Sequence, residues 1–223
     1  MNSGALLLSK RFELIEPATR VFREIRDSDW IPTIPDGPYK NEGWRVVKIV
    51  HDRKPTPFLE GRAELQTVLQ WFKAPIVMAV YYSMLPGTEL HPHRDTSGTL
   101  ELGRLRFHVP IQTNPNVRFM VSKKRVPMEE GQLWALNTSY LHAVENKGES
   151  ERVHLVIEVE ANDWCWSMLP ARGAVYYAHY AWFMFLLAKR GITALTVDRK
   201  SAGAAVKIGK FVIGRLMGRG KAT

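Results

Sequence analysis

Two spacings of hydrophobic residues meet at a proline. Between residues 59 and 73, Leu65, Val68, Leu69 and Phe72 fall at i, i+3, i+4 and i+7, the spacing of a helix with one buried face. Pro75 ends that pattern. Beyond it the period shortens to two, and apolar segments at 76–84, 102–111, 117–122, 132–136 and 153–159 predict strands. Turn signals separate them: Pro86-Gly87, Ser97-Gly98, Asn114-Pro115-Asn116, Glu130-Gly131 and Asn146-Lys147-Gly148. Short strands at this spacing predict a mainly β fold, a double-stranded β-helix (a cupin-like jelly roll) with flanking α-helices. Residues 28–43, rich in Pro, Gly and Asp, predict an irregular loop near the substrate side or the surface.

The C-terminal part differs. Residues 173–188 form an uncharged, aromatic-rich run, shorter than the roughly 20 residues a membrane span needs, so a buried or interfacial helix is expected. Residues 206–217 mix apolar side chains with Lys207, Lys210 and Arg215, and five glycines nearby weaken an autonomous helix. Two readings stand for this segment: a packed helix, or a contact with an anionic bilayer or acidic partner. The expected division is a jelly-roll domain over 1–165, with N-terminal helical elements, and a basic, apolar helical extension over 166–223.

Charge sharpens that division. The net charge is +9, yet residues 189–223 alone hold nine cations against one acid, Asp198. The rest of the chain is nearly neutral. Such a tail is either a solvated end or a lever toward an anionic surface. Nucleic acid fits poorly, because no strand interleaves basic and aromatic residues as single-strand binders do. The single cysteine, Cys165, excludes an internal disulfide framework and a thiolate-rich zinc site. The apolar run at 5–8 is short and Lys10 interrupts it, so no secretory signal is expected. The expected location is cytoplasmic, with peripheral membrane attachment through the basic end as the alternative.

Candidate chemistry concentrates in the strand-rich block. In an extended segment, residues i and i+2 point to one side, so His93 and Asp95 of His-Pro-His-Arg-Asp can reach one metal together. His142, 49 residues on and just past a predicted strand, can be brought opposite by a jelly roll. Two histidines and a carboxylate on one face of iron leave positions for a bidentate 2-oxo acid and dioxygen. A lone His-x-Asp is weak, since such triplets are common on surfaces. Arg152 strengthens it: a guanidinium opening an apolar strand needs a reason, and its fork matches the far carboxylate of a 2-oxoglutarate whose other end chelates iron. Arg104, Arg106 and His108 alternate with Leu105, Phe107 and Val109 and share one strand face. That face is either solvated or the inward, cationic wall of a barrel holding small anions.

Taken together, these segments resemble the aspartyl/asparaginyl β-hydroxylase-like family of 2-oxoglutarate dioxygenases, which includes peptide aspartate hydroxylases, lipid acyl hydroxylases and bacterial proline hydroxylases. The resemblance runs from Tyr82 to Val159, about a third of the chain. It rests on Leu-Pro-Gly-Thr ahead of Pro-His93, on Gly-Arg104-Leu-Arg106-Phe-His108-Val-Pro, on Glu-Gly131-Gln-Leu-Trp134, and on His142 with Asn146 and Arg152-Val-His-Leu. It implies a jelly roll with iron(II) on His93, Asp95 and His142, and Arg152 on the C5 carboxylate of 2-oxoglutarate. It also implies His108 and Ser83 near the cosubstrate, and Arg106 with Arg104 on an acidic group of the substrate. Asp95 departs from the animal peptide hydroxylases, which lack that ligand, and it argues against halogenation, whose enzymes vacate the position for chloride.

His154, two residues after Arg152, is either a pocket residue or a satisfied core histidine. His91 reads as a hydrogen-bonded loop residue, and His51 and His179 as structural. The expected activity is hydroxylation of an unactivated carbon in an amino-acid-like, acyl or carrier-bound substrate, with a small molecule or lipid as partner. The alternative is a non-catalytic jelly roll that binds an anionic small molecule.

Overall fold

The computed structural model describes residues 4–33 and 43–197, with side chains described through Gly191. Among the described residues, twelve strands form two antiparallel sheets. The larger is built from β1 (Ala5–Ser9), β2 (Ile31–Pro32), β3 (Trp44–His51), β4 (Lys54–Pro55), β5 (Ile76–Met84), β7 (Arg104–Gln112), β10 (Leu133–Leu136) and β12 (Arg152–Glu160). Its order is β1-β10-β7-β12-β5-β3-β2, with β4 paired to β3. The smaller contains β6 (Glu89–His93), β8 (Val117–Val121), β9 (Lys124–Arg125) and β11 (His142–Asn146), in the order β6-β11-β8-β9. This is the expected jelly roll.

Register assigns every side chain of the large sheet to a face, because partners across a ladder share one. Arg152, His154, Val156 and Glu158 of β12 lie opposite Met84, Tyr82, Val80 and Met78 of β5. On the other side Val156 and Glu158 lie opposite His108 and Arg106 of β7, which in turn lie opposite Trp134 and Leu136 of β10. This face looks toward the small sheet: Met84, Trp134 and Leu136 form one cluster with Phe119, Val121 and Val144. The alternate residues, Leu105, Phe107, Val109, Leu155 and Ile157, are fully buried on the opposite face. Each such side chain contributes about 1.5–3 kcal/mol on leaving water.

Two helices cover that second face. The Tyr81 hydroxyl donates 2.8 Å to the Ala18 carbonyl of α1 (Ile15–Arg23), and the Phe72 ring sits 5.2 Å from Phe107, just past α2 (Ala63–Gln70). Helix α2 is shorter than the predicted 59–73. Gly61 takes φ +71°, a left-handed turn that separates a short 3₁₀ turn at Pro57–Leu59 from the helix proper.

The chain divides into two compact units, Met1–Ala171 and Arg172–Thr223, so the division falls beyond the expected 165. A short helix, α3 (Asp163–Ser167), lies in the first unit, its amide at Cys165 capped by the Asn162 side chain. The second unit holds α4 (Ala174–Val197), with Val175, Tyr177, Trp182 and Phe185 exposed. Among the described residues, no helix is long and apolar enough to cross a membrane. The segment at 206–217, most of the basic tail and most of the loop at 28–43 lie outside the described residues.

Candidate active site

His93 and His142 are direct partners across the β6–β11 ladder, and their rings lie 4.1 Å apart, centre to centre. A register shift follows at Val144 and Leu90, and Pro92, which has no N–H, is tolerated because β6 is an edge strand. Each ring is oriented by a backbone carbonyl two residues before it. His93 Nδ1 donates to the His91 carbonyl at 2.8 Å, and His142 Nδ1 to that of Tyr140 at 2.9 Å. A carbonyl only accepts, so each Nδ1 carries a proton, and in a neutral ring that leaves the lone pair on Nε2. Asp95 lies just past the end of β6, fixed by its N–H to the Thr138 carbonyl at 3.0 Å. Its Oδ1 is 3.6 Å from His93 Nε2. One ligand atom from each of His93, Asp95 and His142 falls within 4.8 Å of the others, a spacing that fits one metal ion. Burial, and then the neighbouring His93, push the His142 pKa down to about 4, which keeps its ring neutral and ready to coordinate.

These three residues line a cavity of about 360 Å³ between the sheets, with Trp44, Tyr82, Leu90, Val144 and Val156 among its walls. Arg152 also lines it and is only 1% exposed. Its Nη2 donates to His154 Nδ1 at 2.8 Å, and its Cζ lies 5.8 Å from the Phe119 ring centre. Its Nε has no partner, and no carboxylate pairs with it among the described residues. Burial alone pushes its pKa down to about 9. A buried cation without a counter-ion is costly, and a bound anion would offset that cost. His108 projects into the same cavity, with a buried Nε2 that has no partner. Burial, and then Arg152, hold both His108 and His154 neutral.

The other expected site residues are placed differently. His154 lines a neighbouring cavity of about 520 Å³, which shares Arg152 and Phe119 with the first. Ser83, expected near the cosubstrate, sits on the opposite face of β5 from Tyr82, where its hydroxyl donates to Glu151, and it is not among the residues lining the metal cavity. Arg106 lines the cavity, but its guanidinium is engaged by Asp95 Oδ2 at 2.7 Å and Glu158 Oε2 at 2.8 Å. Burial works against its charge, and the two carboxylates more than offset this and raise its pKa. Arg104 lies 4.0 Å from both Glu158 and Glu160, and it does not line the metal cavity. Of the two arginines expected to address an acid on the substrate, Arg106 thus lines the cavity already paired with two carboxylates, and Arg104 lies outside its lining. Glu158 was missed. Its signal is the same as that of Arg152, a charge on the polar alternation of an apolar strand.

A family model described as aspartyl/asparaginyl β-hydroxylase matches residues 22–162. No functionally curated protein matches the sequence. Among solved structures, a 2OG-Fe(II) oxygenase family protein from Burkholderia pseudomallei is 15% identical, covers 71% of this chain and 86% of its own, and has a TM-score of 0.51. HygX from Streptomyces hygroscopicus, solved with nickel and 2-oxoglutarate, is 13% identical with a TM-score of 0.48, covering 73% of this chain and 84% of its own.

Proposed function

The chain belongs to the aspartyl/asparaginyl β-hydroxylase family, and on that premise we propose that it is an iron(II)- and 2-oxoglutarate-dependent dioxygenase that hydroxylates an unactivated carbon. The observation that carries this reading is Arg152, a buried guanidinium with no carboxylate partner among the described residues, in the same cavity as a His-Asp-His cluster of metal-binding spacing.

Bound iron with 2-oxoglutarate and dioxygen supplies oxidising power that a protein side chain lacks, leaving succinate and carbon dioxide as co-products. The protein's own residues bind and orient. His93 and His142 offer Nε2 lone pairs, and Asp95 offers Oδ1. These three residues would hold the metal and leave coordination sites on it free for a cosubstrate. Arg152 receives the far carboxylate of 2-oxoglutarate, which neutralises a charge that is otherwise stranded. The His108 Nε2, buried and unpartnered, gives the cosubstrate a second polar contact. Trp44, Tyr82, Leu90, Val144 and Val156 exclude water and favour an aliphatic stretch of substrate, in a small molecule or an acyl chain.

The test is turnover. Apo-protein loaded anaerobically with Fe(II) and 2-oxoglutarate, then exposed to dioxygen, forms succinate, and His142→Ala forms none. Metal-independent 2-oxoglutarate binding with no succinate across aliphatic substrates leaves a non-catalytic anion-binding jelly roll instead.

A further inference from the structure

The two oxygens of Asp95 have different partners. Oδ1 lies 3.6 Å from His93 Nε2, on the side where the candidate ligand atoms gather. Oδ2 accepts a 2.7 Å hydrogen bond from Arg106 Nη1. The other edge of the same guanidinium is also engaged, since Nη2 and Nε both donate to Glu158 Oε2, at 2.8 and 3.3 Å. Glu158 is buried, lies directly across the ladder from Arg106, and is held under the chain at Gly98, where a Cβ would collide with its carboxylate.

A guanidinium facing Asp95 alone would draw the carboxylate toward itself and compete with a metal for it. With Glu158 on its far edge, the charge of Arg106 is already balanced, and the three groups together keep one net negative charge for the metal. The fork geometry matters as well: a planar guanidinium donating along two edges cannot swing, so it fixes the plane of the carboxylate it holds.

We infer that Arg106 and Glu158 are a positioning pair for Asp95, holding Oδ2 so that Oδ1 alone is presented to the metal. The inference rests on the reading of His93, Asp95 and His142 as the metal site. It deepens that reading in one respect. Of the cations lining the cavity among the described residues, Arg106 is bound by two carboxylates and Arg152 is reserved for the cosubstrate. Neither of these cations is left free to meet a charge on the substrate.

Arg106→Met, Arg106→Lys and Glu158→Gln, with the parent and His142→Ala, are titrated anaerobically as apo-proteins with Co(II), whose visible absorption reports its coordination. Arg106→Met and Glu158→Gln are expected to bind Co(II) about 10- to 100-fold more weakly, the usual effect of losing an outer partner of a ligand, and with an altered spectrum. Arg106→Lys falls between them and the parent, because a point charge cannot replace a fork. Parent-like affinity and spectrum in folded Arg106→Met overturn the inference. If that variant does not fold, the same result in Glu158→Gln overturns it. A parent that binds Co(II) no better than His142→Ala overturns the metal-site reading and the inference with it.

Discussion

Replacing Arg152 with methionine is expected to stabilise the metal-free protein while removing its response to 2-oxoglutarate. A guanidinium in water stays charged far above neutral pH, and burial pushes the pKa of Arg152 down by several pH units, to about 9. At 1.36 kcal/mol per pH unit, keeping it charged in this site costs on the order of 5 kcal/mol. Arg152→Met removes that cost and keeps most of the volume beside Phe119. Against the gain stands the loss of the donor to His154 Nδ1, since a buried acceptor left unpaired costs about 1–3 kcal/mol. The net is a stabilisation of about 2–4 kcal/mol, or roughly 5–15 °C in Tm for a unit of this size. Thermal melts by circular dichroism, with and without Mn(II) and 2-oxoglutarate, supply the assay. The parent melts higher when both are added, because a ligand that binds only the folded state stabilises it. The variant starts higher and shows no further rise with 2-oxoglutarate. A variant several kcal/mol less stable than the parent, with its 2-oxoglutarate response intact, would show Arg152 to be a structural residue and refute the reasoning.

His108, His142 and His154 are held neutral in the fold, chiefly by burial. The unfolded chain therefore binds more protons below about pH 6.5, and the metal-free protein loses stability as pH falls from there toward the folded value of about 4 for His142. With up to three protons involved, the slope approaches roughly 4 kcal/mol per pH unit at its steepest; urea titrations at pH 7 and pH 5 measure it, and a flat profile would mean that the rings are charged in the fold. Gly98→Ala is expected to destabilise by about 1–3 kcal/mol from backbone strain alone, because Gly98 holds φ +66°. Contact of its Cβ with the Glu158 carboxylate adds to this, and urea denaturation with an unchanged midpoint would contradict the close approach.

Much of the jelly roll was legible because its strands are short apolar runs set between turn signals. Residues 76–84 were predicted with the bounds of β5, and 117–122 differs from β8 by one residue. By contrast, β3 was not recognised. Its run of Val46, Val47, Ile49 and Val50 is interrupted by Lys48 and follows directly on the Pro- and Gly-rich segment, so it lacks the uninterrupted apolar stretch of β5. At the candidate site, His93 and Asp95 converge as their spacing implied, but a backbone bond to Thr138 in place of a continued strand holds Asp95. The sequence showed that Arg104, Arg106 and His108 share a face, but not what each one meets. That depends on which acids the neighbouring strand places opposite, and Glu158 on β12 sets it. The resemblance places Ser83 near the cosubstrate, while strand parity turns it to the other face of the sheet.

Anomalous diffraction from crystals grown anaerobically with Mn(II) and 2-oxoglutarate tests the central claim most directly. The account predicts one strong metal peak within bonding distance of His93 Nε2, His142 Nε2 and a single oxygen of Asp95, with 2-oxoglutarate chelating that metal and its far carboxylate on Arg152. A metal bound elsewhere, or a 2-oxoglutarate whose far carboxylate leaves Arg152 without a partner, would contradict it.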